Sequence, residues 1–121
     1  MARTTEDDTD EVAGYIDRAR KAQQRIADYS QEQVDDLVKA VCWSVVRQDH
    51  AEKLAKLAVD EGGFGNYNDK VTKIRNRCMG TLADILLVKT VGVVEEIPEK
   101  GLVKIAKPVG VVAALIPTTG P

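Results

Sequence analysis

The chain has 121 residues, 44% hydrophobic and 30% charged, with 17 Lys and Arg against 19 Asp and Glu and a formal net charge of -2. That balance predicts a soluble globular protein with one small domain, and the interspersed charges argue against a basic nucleic-acid surface. No run of about eighteen apolar residues could span a membrane, and the polar N-terminus lacks a secretory core, so the expectation is a cytoplasmic protein with no nucleic-acid or membrane partner.

Residues 1–10 lack apolar anchors and read as a mobile acidic tail, followed by a helical region over 11–90. Within 11–29, Val12, Tyr15, Ile16, Ala19, Ala22 and Ile26 recur at helical spacing and predict an amphipathic helix with a thin apolar stripe. Ser-Gln-Glu-Gln at 30–33 has the form of a capping box. It opens a second helix to about residue 47, with Val34, Leu37, Val38, Val41, Cys42, Val45 and Val46 facing the core. Trp43 falls off that stripe, so either another element covers it or it lies at an interface.

A shorter helix is predicted over 49–60, with Ala51, Leu54, Ala55 and Ala58 on one side. Gly62, Gly63 and Gly65 end it, at a spacing that matches neither a dinucleotide fingerprint nor a phosphate-binding loop. After a plausible cap at 66–68, Val71, Ile74, Cys78, Leu82 and Ile85 mark a fourth helix. Lys70, Lys73, Arg75 and Arg77 are expected on its outer surface, as a solvated face rather than a coenzyme-A phosphate contact.

Near residue 89 the period changes from helical to extended. Residues 91–107 read as a β-hairpin with Pro-Glu-Lys-Gly at its turn, and Glu95, Glu96 and Lys104 can pair across it. Residues 109–116 are small and β-branched between prolines, the pattern of a strand buried on both faces. Such a strand needs neighbours, so it is expected either to borrow a partner or to lack the rest of its sheet. Pro117-Thr-Thr-Gly-Pro121 follows as a turn.

The two cysteines, Cys42 and Cys78, have no CxxC partner and read as reduced, half-buried thiols rather than metal ligands. His50 beside Asp49 reads as a surface or capping residue rather than a general base. No metal site is expected.

These features together resemble the aldehyde dehydrogenase superfamily, in its coenzyme-A-acylating branch. The resemblance is carried by Ala-Arg-Lys-Ala-Gln-Gln at 19–24, Tyr-Ser-Gln-Glu-Gln-Val at 29–34, Glu-Gly-Gly-Phe-Gly-Asn-Tyr-Asn-Asp-Lys at 61–70, and the hairpin-to-turn stretch ending in Pro117-Thr-Thr-Gly-Pro121. Acylating members typically show Pro-Thr-Thr-Asn-Pro at this turn, and within the branch the chain looks most like the enzymes acting on succinate semialdehyde and sulfoacetaldehyde. Gly120 departs from the pattern, standing where relatives usually carry asparagine.

The resemblance implies an α/β fold of which this chain is about four N-terminal helices, a β-hairpin and, over 108–121, the first strand and turn of an incomplete Rossmann-like domain. It implies an NAD- or NADP-dependent oxidation of a small aldehyde to acyl-coenzyme A, in an enzyme that forms homo-oligomers. By the same resemblance Ile116, Pro117, Thr118 and Thr119 border the cofactor, with Thr119 on the oxyanion side of the reacting centre. The catalytic cysteine is implied to lie beyond this stretch, since neither Cys42 nor Cys78 falls in a matching motif, and the isolated chain is then inactive. The alternative is a non-enzymatic assembly or regulatory module that binds full-length subunits by sheet pairing.

Overall fold

The computed structural model describes residues 5–117, with side chains from residue 8. Four helices, α1 (Thr5–Arg25), α2 (Gln31–Val46), α3 (Gln48–Gly62) and α4 (Tyr67–Ile85), are followed by two strands, β1 (Gly92–Ile97) and β2 (Leu102–Ala106). The chain forms two compact units. One contains α1 and the hairpin, with residues 1–30 and 91–114, and the other contains α2, α3 and α4, with residues 31–90 and 115–121.

In the first unit, α1 starts at Thr5, so residues 5–10, expected within a mobile tail, are helical instead. Acidic residues at a helix N-terminus complement the positive end of its dipole, and Asp8 stands in that position. On the surface of α1, the Tyr15 hydroxyl donates to Glu11 at 2.9 Å, and the Arg18 guanidinium lies 4.7 Å from the Tyr15 ring centre. The apolar stripe of α1 remains open: Val12 and Tyr15 are both more than half exposed.

The hairpin is antiparallel. Gly92 faces Ala106, Val93 faces Ile105, Glu95 faces Lys104 and Ile97 faces Leu102, with a bulge between Val93 and Glu95. The Pro98–Lys100 turn is a single 3-10 turn closed by the Gly101 amide donating to the Pro98 carbonyl. Lys104 donates across the strands to Glu95, the charge pair that the sequence pattern anticipates.

In the second unit, α2 begins immediately after Ser30, where the capping-box pattern places it. A short connection turns the chain into α3, which ends at Gly63 in the left-handed conformation (φ 59°), its amide donating to the Val59 carbonyl. Only glycine occupies that backbone region without cost. Asn66 then caps α4, its side-chain oxygen accepting from the Asp69 amide at 2.9 Å.

The three helices pack around Ala51 and Ala55, both fully buried, and Ile74, with Val45 and Val71 against them. Alanines on α3 allow close approach of α4, and Arg75 on α4 reaches Gln48 on α3 at 2.8 Å. Gln31 fastens the other end of the unit, donating to the Thr90 hydroxyl and accepting from the Thr90 amide at 2.8 Å.

Two further sequence expectations differ from the structure. Residues 107–117 form no regular element, and no described strand pairs with them: Val109 is 94% exposed and Leu115 99%. The buried strand expected at 109–116 is therefore not formed within this chain, because the neighbours that would bury it are not among the described residues. Lys70, expected on the outer surface of α4, is 6% exposed. It lies one turn before Ile74 and so extends the buried stripe.

Candidate functional site

The turn after residue 115 is where the family resemblance implies cofactor contacts. Ile116 is 67% exposed and Pro117 is exposed, while Thr118 and Thr119 lie outside the described residues, as do Gly120 and Pro121. The structure thus leaves an apolar side chain and a proline ring uncovered at the start of this turn.

Elsewhere, no nucleophile among the described residues is prepared for attack. Burial pushes the Cys78 thiol up, and a Cys42 thiolate would push it further, the opposite of what an activated cysteine needs. His50 is half-buried with Nδ1 against the Ser44 carbonyl oxygen and Nε2 3.9 Å from Asp49. Asp49 in turn holds Arg47 in a two-pronged contact, both distances 2.7 Å. The Arg47 hydrogen bond lowers the Asp49 carboxyl to about 2. That carboxylate is committed to a surface ion pair. Among the described residues, no group of three or more His, Cys, Asp or Glu side chains is placed to hold a metal ion.

What the second unit does present is apolar concavity. A groove of about 340 Å³ runs between α2 and α4, lined by Val38, Val41, Cys42, Val45, Cys78, Leu82 and Ile85 together with Arg77 and Thr81. A second, of about 520 Å³, opens among α2, α3 and α4 beside Leu54, Leu57, Ala58 and Ile74. Trp43, off the stripe of α2, is 65% exposed, with no described element over it. Single folded domains rarely leave so much apolar area in water.

The feature that sequence reading misses is Lys70. Its ammonium is buried with no hydrogen-bond partner among the described residues, 6.0 Å from the centre of the Phe64 ring. A side chain at Gly65 would come within 3.3 Å of the lysine stem, so the glycine leaves room for it. The signal was present in the four-residue steps Lys70, Ile74, Cys78, which put all three on one helix face.

No family model matches the chain. Among curated proteins, it is 44% identical over 110 residues to a sulfoacetaldehyde dehydrogenase (acylating) of Bilophila wadsworthia, covering 91% of this chain and 24% of that protein. It is 48% identical over 106 residues to a succinate-semialdehyde dehydrogenase (acetylating) of Clostridium kluyveri, covering 88% of this chain and 23% of the relative. A crystal structure of a probable aldehyde dehydrogenase from Listeria monocytogenes EGD-e superposes with a TM-score of 0.84 at 42% identity, over 93% of this chain and 24% of that one. Both curated relatives are named as aldehyde dehydrogenases, one acylating and one acetylating. The chain spans about a quarter of the length of these relatives. The four helices and two-stranded sheet therefore match one portion of an aldehyde dehydrogenase fold. No described helix is long and apolar enough to cross a membrane.

Proposed function

We propose that this chain is the N-terminal portion of an acylating aldehyde dehydrogenase that converts an aldehyde and coenzyme A to acyl-coenzyme A with an NAD or NADP cofactor. The observation that supports it most is the 0.84 TM-score over 93% of the chain at 42% identity, which joins sequence likeness to shape. The likeness to proteins named for sulfoacetaldehyde and succinate semialdehyde supports a small aldehyde carrying an anionic group as substrate. The oxidised nicotinamide, when bound, supplies the hydride acceptor.

This chain's own contribution is positioning. The exposed Ile116 and Pro117 offer apolar surface to the flat face of a nicotinamide ring, and Thr118 and Thr119, next in sequence, carry hydroxyl donors. By the resemblance of its turn to that of acylating relatives, Thr119 is assigned the donor toward the aldehyde oxygen, where negative charge gathers, and such a donor lowers the barrier to attack. The attacking cysteine thiolate and the coenzyme-A site belong to the rest of the enzyme, and the homo-oligomer is its working form. The helices α2, α3 and α4 offer their apolar grooves to that remainder. Alone, the chain turns nothing over.

Expression of the complete reading frame tests this reading. With sulfoacetaldehyde or succinate semialdehyde, coenzyme A and either nicotinamide cofactor, mass spectrometry should find the matching acyl-coenzyme A. Thr119→Val should lower kcat about a hundredfold with KM little changed. Formation of the free acid without coenzyme A, or no product with any aldehyde, would overturn it.

A further inference from the structure

Among the described residues, Lys70 is the one charged side chain that is buried, at 6% exposure, and its ammonium has no hydrogen-bond partner. Side chains on a helix lean toward its N-terminus, and Lys70 follows that rule. Its Cε lies 3.3 Å from the place a side chain at Gly65 would begin, and its Nζ is 6.0 Å from the Phe64 ring centre. The ammonium is therefore aimed back past the first turn of α4, at the loop before it. At the same helix end the amides of Tyr67 and Asn68 have no partner within the helix. The next two amides are satisfied, Asp69 by the Asn66 side chain and Lys70 by the Asn66 carbonyl. This end of α4 thus gathers donors and lacks an acceptor. The Asp69 carboxylate does not supply one to Lys70, since it is exposed and takes the Asn66 side-chain amide at 2.5 Å.

We propose that Lys70 and the N-terminal end of α4 form a binding site for a small inorganic oxyanion of the phosphate class, covered by the loop 63–66. The positive end of a 19-residue helix and the lysine charge both attract an anion. The Asp69 carboxylate in the same turn opposes it, so the helix end alone is insufficient and the lysine decides the outcome. Phe64 is the cover. It is 61% exposed, lies against the ammonium, and stands between Gly63 and Gly65, both left-handed at φ 59° and 80°. Displacing the ring uncovers Nζ, and an oxyanion in its place gives the ammonium a charged acceptor where the aromatic face offers only a weak one. Lys70 lines neither of the two apolar grooves of this unit, so the site does not depend on the faces offered to the rest of the enzyme.

The complete protein, prepared without phosphate, coenzyme A or nicotinamide, is titrated with inorganic phosphate at an ionic strength held constant with sodium chloride. Hydrogen exchange read by mass spectrometry should show the peptide spanning residues 63–70 slowed about tenfold when phosphate stands at about ten times its dissociation constant. Lys70→Met should unfold no more easily than the parent without phosphate and should lose the slowing; Lys70→Arg, which keeps the cation, should retain it. A second readout needs no variant: in a phosphate-free crystal soaked in tungstate, the anomalous signal should place the oxyanion against the Lys70 ammonium. Equal slowing in Lys70→Met would mean an adventitious ion only and would overturn the proposal. No slowing in the parent, or tungstate bound elsewhere and not at Lys70, would overturn it as well.

Discussion

Asp49 and Lys70 show two different fates of a charge in this chain. Asp49 is on the surface, and the Arg47 hydrogen bond lowers its carboxyl to about 2 from an ordinary 3.8. A carboxyl depressed on folding contributes stability that is complete above the ordinary value and is lost as pH falls from about 4 through 2. Carbon-detected NMR titration should place the Asp49 midpoint near 2, and Arg47→Gln should return it toward the ordinary range; an unchanged midpoint in that variant would contradict the assignment. The effect on stability is small because both side chains are about half exposed. Lys70 is the reverse, a buried ammonium without an acceptor among the described residues. Replacing a buried charge that lacks a partner with an apolar side chain of similar length removes a desolvation cost. In denaturant unfolding, Lys70→Met should therefore be neutral or stabilising by about 1–3 kcal/mol, whereas Lys70→Ala should be less stable than Lys70→Met because it leaves a cavity. A large loss in Lys70→Met would mean that an acceptor from elsewhere in the protein reaches the ammonium.

At the scale of elements, stability is concentrated where local chemistry ends one helix and begins the next. Asn66 is the clearest case: loss of its side-chain oxygen leaves the Asp69 amide without that acceptor. Asn66→Ala should cost about 1 kcal/mol, and Asn66→Ser, which keeps a capping oxygen without facing the Asp69 carboxylate with a second charge, much less, by denaturant unfolding. Equal losses in the two variants would refute the capping role. The same locality explains what could be read in the sequence. All four helices and the hairpin follow from spacing and turn residues within a few positions, including the Glu95–Lys104 pair and the turn closed at Gly101. α1 begins ahead of residue 11, because polar and acidic residues that suit a tail also suit the first turn of a helix. Residues 109–116 could not be resolved locally. Their apolar, β-branched pattern states what the segment needs, a sheet on both sides, but strand pairing is a non-local interaction that the described residues do not supply. Of the candidate site, Ile116 and Pro117 were legible only through the family-like turn, since nothing in their spacing distinguishes a cofactor contact from a strand end.

For the whole molecule, the apolar faces are the dominant physical fact. The buried core of the helical unit is small, built on Ala51, Ala55 and Ile74, while Trp43, Leu87, Val109, Val112 and Leu115 face solvent. On the proposed reading these faces meet the remainder of an aldehyde dehydrogenase. The isolated 121-residue chain should therefore show helical circular dichroism yet self-associate, driven by the uncharged β-prone segment 109–116. Light scattering should detect that association, and Val112→Lys should reduce it severalfold; a monomer that unfolds cooperatively would contradict the expectation. The most direct test of the central claim is nicotinamide reduction, followed by absorbance, with the isolated chain and the complete gene product side by side. The account predicts no reduction by the 121-residue chain and sustained, coenzyme-A-dependent reduction by the complete protein with a small aldehyde. Turnover by the isolated chain, or equal turnover by the complete protein without coenzyme A, would contradict it.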